Sequence, residues 1–446
     1  MRVALQAFAI TLMLGMPAIG EPRIGHLDPM VLTSGRTIKI KLFGDRLANK
    51  ETVTAKIWTS FPSSWKVDDT ANKSAPNQVA FNVTVPESVP AGVGAIRVWD
   101  STGVSAPHFV LIDSDASTAQ FRVSPQQPYK HSFEVETGQS FVCETWSNRL
   151  NSDSDLIMSL YDPDGVRLTE VDDDEIVGFD PLLRFTASKT GSYSLHIHDI
   201  RWRGGLPVCL RVASNPVVPF SSSDAPLKTS LNSQRVPVEL EEGQFLTIRP
   251  RTHEIGSPAM LQLELFDSND RRVAQSGTGD TLNEALRFRS NKAGQFHVVA
   301  RDLLNRDGLP FELDVSTDEA PFEVRMEDRS DWHVVGPGKQ LKLKFRVTRF
   351  RYDGPITIDC PDVQLTNNTF KQKQNDIQAT LTIPDDATPG SMIPLRFTAT
   401  ASVDDKSYGS NVRTISQLKK SVQHVAEWPD GLDGVVYIVV GKTDKK

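Results

Sequence analysis

Nine aspartates fall within one short stretch of this chain: Asp153, Asp155, Asp162, Asp164, Asp172, Asp173, Asp174, Asp180 and Asp199. Carboxylates at this density are what calcium asks for, roughly six to eight oxygens with several from acidic side chains, gathered from the loops at one end of a β-sandwich. Asp153, Asp155, Asp172, Asp173, Asp174 and Asp199 make the candidate calcium set. A second reading needs no metal: Asp162-Pro-Asp-Gly165 is a turn sequence, and Asp172 to Asp174 is a solvated loop.

Other chemistry is thin. His196 and His198 stand two residues apart on one strand, a spacing that can serve zinc, but zinc needs about three or four ligands and no third is visible. There is no HExxH, no GxSxG, no phosphate loop and no GxGxxG, and His253-Glu254 is an isolated pair, so the expected protein is not an enzyme. Trp202, between Arg201 and Arg203 and ahead of Gly204-Gly205, can stack on a sugar or anchor a partner, or fold back over its own domain.

The elements that must hold these residues are read from an internal repeat. Leu182 to Val212, LLRFTASKTGSYSLHIHDIRWRGGLPVCLRV, is echoed by Ala285 to Val315, ALRFRSNKAGQFHVVARDLLNRDGLPFELDV. The offset is about 105 residues early in the unit and about 103 late, one domain length. Successive residues of a strand face opposite sides, so Tyr193, Leu195 and Ile197, matched by Phe296, Val298 and Ala300, face inward. Ser194, His196 and His198 face out. Copy two keeps the pattern with Pro258 and Met260 where copy one has Asp153 and Asp155, and with Gly277 to Asp280 in place of the triple acid.

These residues resemble the bacterial pre-peptidase C-terminal (PPC) domain, a jelly-roll-like β-sandwich found beside secreted peptidases and in surface proteins. The carrying residues are Glu136-Thr-Gly138, Leu160-Tyr-Asp162-Pro-Asp-Gly165, Asp172 to Asp174, Phe179-Asp180-Pro-Leu-Leu-Arg-Phe185 and Thr190-Gly-Ser-Tyr193 through Asp199. The match covers residues 129 to 213 and, more faintly, 234 to 316. The resemblance implies a fold, and calcium in some such domains, more than it implies an activity.

The flanks are β-rich as well. Thr37 to Phe43, Val79 to Val85 and Ala95 to Trp99 alternate apolar and polar residues, the pattern of half-buried strands, and the region is similar to IPT/TIG-type immunoglobulin-like domains. Gln340 to Val347, Ile356 to Ile358 and Ile393 to Phe397 repeat the pattern near the C-terminus, and Leu381 to Gly390 matches Val83 to Gly92 in its Pro and Gly positions. A short helix is expected within Ile415 to Trp428 and a strand at Val435 to Val440. The expected organisation is all-β: a signal peptide at 1–20, an IPT/TIG-like domain at 21–113, PPC-like sandwiches at 114–215 and 216–316, and an immunoglobulin-like sandwich at 317–446. Ser114 to Pro128 and Ser214 to Ser230 read as linkers.

Arg2, the apolar run Val3 to Leu14 and Ala18-Ile-Gly20 have the form of a secretory signal, which makes the chain exported: periplasmic, cell-surface or extracellular. No later stretch is long and apolar enough for a transmembrane helix. With a net charge of −7 and a pI near 5.8, nucleic acid and anionic lipid are poor partners. Cys143 aligns with Ile248 on the inward parity and Cys209 with Glu312 on the outward, so the two face apart and bridge poorly, and Cys360 has no partner in view. The expected function is a non-catalytic binding or adhesion module on an envelope or matrix, with an extracellular protein or polysaccharide as partner. An accessory of a secreted peptidase or hydrolase, and a plain structural spacer, are the alternatives.

Overall fold

The computed structural model describes residues 21–48, 55–68, 77–113, 118–174, 179–214, 227–228, 235–252, 259–276, 285–303, 308–403, 406–422, 428–429 and 431–441. The expected signal peptide, His253-Glu254 and Gly277 to Asp280 lie outside them. Among the described residues the chain is a series of β-sandwiches with one short α-helix, Ile415–Ser421, at the expected place, and a single 3-10 turn at Asn148–Leu150.

The repeat holds at the level of topology. In the second sandwich one sheet runs Ala119–Arg122, Pro207–Ser214, Ser140–Trp146, Leu182–Thr186, and the other Tyr129–Val135, Gly191–Asp199, Leu156–Tyr161, Arg167–Val171. The third sandwich has the same order strand for strand, from Leu227–Lys228 to Leu286–Arg289 and from Arg235–Leu240 to Arg272–Gln275. This is the eight-stranded, two-sheet winding of a jelly roll. Register agrees too, with Leu156 opposite Asp199 and Leu261 opposite Asp302. Tyr193, Leu195 and Ile197 are buried in one core, and Phe296, Val298 and Ala300 in the other.

Two expected linkers are partly strand. Ala119–Arg122 is an edge strand of the second sandwich, and Leu227–Lys228 pairs with Phe311 and Pro310 of the third. Their polar composition reads as linker because an edge strand pairs on one side only and needs little apolar surface.

The first and fourth sandwiches share a device at their entry. Arg23–Asp28 pairs antiparallel with Thr37–Asp45, and then Val31–Thr33 crosses to the other sheet and runs parallel to His108–Asp113. Phe322–Met326 and Trp332–Val335 do the same against Gln340–Arg349 and Val435–Val440. These two pairs run parallel in sheets whose other strand pairs are antiparallel.

The middle sandwiches keep cores of their own, whereas the end ones share theirs. Leu418, Val422 and Leu432 of the fourth sandwich, and Trp146, Leu150 and Cys209 of the second, belong to the core cluster of the first. Phe245 of the third belongs to that of the fourth. A further small cluster joins Trp99 and Val104 to Val435, Tyr437 and Val439, so the two ends of the chain meet.

Candidate functional site

The acidic set divides when its partners are traced. Asp199 is fully buried. It accepts hydrogen bonds from the backbone N–H of Asp155 (3.1 Å), Arg201 (3.0 Å) and Arg203 (3.2 Å), and from Arg203 Nε (3.1 Å) and Nη2 (2.8 Å). Burial alone would raise its carboxyl, but the Arg203 guanidinium and the three N–H groups outweigh burial and bring it down to about 2. The same Arg203 reaches Asp153 at 2.9 Å. Asp199 and Asp153 therefore face a cation that the chain itself supplies. Copy two repeats the backbone part, with Asp302 accepting the N–H of Met260 at 2.9 Å, which marks Asp199 as a strand-end brace.

The other acids are mostly braces as well. Asp162 accepts the N–H groups of Asp164 (3.0 Å) and Val166 (2.9 Å), and Asp267 accepts those of Asn269 (3.0 Å) and Arg271 (3.1 Å) at the equivalent turn. Asp180 binds the N–H groups of Ser147, Asn148 and Arg149. Asp174 lies 3.8 Å from Arg184. Asp155, Asp172 and Asp173 keep one another's company: burial, then Asp172 and Asp155, raise the Asp173 carboxyl. Among the described residues no three acidic, His or Cys side chains converge as a metal requires. The six-acid calcium set thus divides: Asp153, Asp174 and Asp199 face an arginine, and Asp155, Asp172 and Asp173 have no arginine partner among the described residues.

Asp199 also shapes the loop after it. The chain turns around its carboxylate, Trp202 donates its N–H to the Asp199 carbonyl at 2.8 Å, and Trp202 takes φ 55°, a left-handed conformation that a bulky residue adopts only when held. Its ring stacks on His198 at 4.2 Å between centroids and stays 42% exposed. One step along the same strand face, His196 lies against Tyr161 at 4.1 Å. Burial lowers the pKa of both histidines, with Lys130 adding to the effect at His196. The outward pair seen in the sequence is therefore half of a strip, Tyr161, His196, His198 and Trp202, on the outer face of one sheet. Trp202 both packs on its own domain and presents an edge to solvent.

The thiols follow the parity argument. Cys143 lies in the core of the second sandwich, and Cys209, facing the other way, is covered by the first. Both are buried and unbridged, as is Cys360. Burial, then Asp180 and Asp113, push the Cys209 thiol up to about 12, and burial raises that of Cys143 further. Neither is a thiolate nucleophile at neutral pH.

The seam between the chain ends is marked by no sequence motif. Arg97 is 2% exposed. It binds Asp331 through Nη1 (2.6 Å) and Nη2 (3.3 Å), donates Nε to the Ser105 carbonyl (2.7 Å), and lies 4.6 Å from the ring centre of Tyr437. Trp58 meets Tyr437 edge-on at 5.0 Å, and Trp332 packs on Gly103, where a Cβ would come within 2.7 Å of the indole.

Fold and site together define a tandem β-sandwich chain with an aromatic strip on the outer face of its second sandwich. No protein-family model and no curated protein matches it. Solved structures with similarity include one described as a biofilm associated protein BSP domain, at 8% identity, 96% coverage of both chains and a TM-score of 0.17. The first four immunoglobulin domains of Dscam1 isoform 1.9 are 12% identical, over 88% of this chain and 97% of that one, with a TM-score of 0.18. The insect immune protein hemolin is 13% identical, over 88% and 98%, with a TM-score of 0.19. At such scores the likeness carries no argument about arrangement or function. Among the described residues no helix is long and apolar enough to cross a membrane.

Proposed function

We propose that this is an exported, non-catalytic binding protein of a bacterial envelope or matrix, with PPC-type sandwiches between immunoglobulin-like ones, and that its contact with an extracellular protein or polysaccharide is made by the second sandwich. The observation that carries the reading is the aromatic strip: Trp202 stacked on His198 and Tyr161 on His196, with the Trp202 ring still reaching solvent. Rings fixed by their neighbours lose little entropy on binding, and their apolar faces with polar rims suit a sugar ring or a protein side chain. Ser159 and Glu170, hydrogen-bonded at 2.7 Å on the same face, supply polar groups beside the strip.

The test is capture from outer-envelope and matrix fractions by the immobilised full chain, compared with a Trp202→Ala, Tyr161→Ala double variant. The wild type should retain a saturable component, and the variant should retain at least tenfold less. Equal capture by both would move the contact elsewhere, and no saturable component would leave the spacer reading.

A further inference from the structure

A half-open cavity of about 210 Å³ lies where the third sandwich meets the fourth. Its apolar wall is made by Phe245, Leu246 and Phe288 from the third sandwich and by Phe350 from the fourth. Arg287 and Arg351 also line it. Each reaches across the junction, Arg287 of the third sandwich lying 4.2 Å from the Phe350 ring centre and Arg351 of the fourth lying 5.3 Å from that of Phe288. The junction is thus closed by an exchange of two cation–π contacts.

Such contacts use only the faces of a guanidinium. The N–H donors lie in the plane of the group and point outward from the stack, so a stacked arginine can still hold a carboxylate by its edge. The other charged groups at the cavity are committed elsewhere. Arg349 donates to the carbonyls of Gly354 (2.7 Å), Gln374 (2.8 Å) and Lys371 (3.2 Å), and Glu319 is paired with Arg249. Arg351 has no carboxylate partner among the described residues. Its backbone sits at φ 57°, a left-handed conformation that a non-glycine residue seldom adopts, and it carries the guanidinium to the cavity rim.

We infer that this junction binds a small aromatic carboxylic acid, its ring between the phenylalanines and its carboxylate on Arg351. A flat apolar body answers the phenyl walls, a single negative charge answers the rim, and the volume admits a bicyclic ring with a short acidic arm. Because both sandwiches contribute walls, occupancy also ties them together.

The experiment is calorimetric titration of the full chain with indole-3-acetate, and with tryptophol, in which an alcohol replaces the carboxylate. Indole-3-acetate should bind saturably and tryptophol at least tenfold more weakly. Arg351→Met, which keeps an apolar stem on Phe288, should weaken the acid at least tenfold and tryptophol by far less, so that the preference for the acid is lost. Equal affinity for acid and alcohol, acid binding that survives Arg351→Met, or no binding at 10 mM each overturns the assignment. So does tighter binding of a dipeptide ending in a free Phe carboxylate, which would make the site a reader of chain ends.

Discussion

Arg97 and Asp331 stand 234 residues apart in sequence and form a buried two-point ion pair, 2.6 and 3.3 Å, that closes the first sandwich onto the fourth. The pair is enclosed by Tyr437, Trp58 and Trp332, so solvent screens it little. Such a pair is worth little against a well-packed apolar replacement, but removing one partner strands the other charge in an apolar seam.

Asp331→Ala should therefore loosen the seam by about 3 to 5 kcal/mol, while Arg97→Met with Asp331→Leu should lose much less. Unfolding of a multidomain chain is not two-state, so the readout is local: amide hydrogen exchange across Val435–Val440 and Gly92–Asp100. Exchange in both strands should speed up in the single variant and return towards wild type in the double. Unchanged exchange in Asp331→Ala would mean that the seam is held by its aliphatic contacts alone.

His108 sets a pH limit on the first sandwich. Burial, then repulsion from His26, lowers its pKa from 6.5 to about 4. The unfolded chain takes a proton near pH 6.5 and the folded chain only near 4, so between those values the unfolded state binds more protons and stability falls as pH falls. The loss spans at most about 3 kcal/mol, complete by pH 4 and absent above 6.5. Stability of wild type minus that of His108→Phe, followed by hydrogen exchange in His108–Asp113 from pH 7 to 4, should slope through this window. A flat difference would show that the ring is hydrated in the folded state.

The period-two pattern and the repeat made much of the fold legible. Tyr193, Leu195 and Ile197 against Phe296, Val298 and Ala300 sufficed to orient two sandwiches, because parity is local and burial enforces it. Parity does not say what covers an outward face. Ala95 to Trp99 alternates, so Arg97 reads as solvent-facing, yet its side of the strand is covered by the far end of the chain while the other side packs into the first sandwich's own core. The signal lay in the partner strand: Val435 to Val440 is a continuous apolar run, the mark of burial on two faces. The candidate site was half legible. His196, His198 and Trp202 stood out as residues, but their stacking and the engagement of Asp199 by Arg203 depend on a loop that turns back on itself, which spacing alone does not encode.

Asp199 links the acidic set to the aromatic strip, so its substitution tests both. Its carboxyl is held near 2 when folded and sits near 3.8 when unfolded, so its contribution is fully present above about pH 4 and is lost as pH falls through 2. A difference of that size is worth about 2 kcal/mol. Asp199→Asn should accordingly destabilise the second sandwich at pH 7 by about that amount, and the difference from wild type should shrink between pH 4 and 2. The loop should also loosen, since Arg201 and Arg203 lose a shared acceptor, and the ring-current shift that Trp202 imposes on His198 in proton NMR should diminish. Calcium separates this account from the metal reading. If Arg203 is the cation that Asp199 serves, millimolar calcium leaves the wild-type shift and the variant's loss unchanged, and Arg203→Met reproduces that loss. If calcium stabilises the wild type and not Asp199→Asn, the carboxylate belongs to a metal site after all, and the arginine brace is secondary to it.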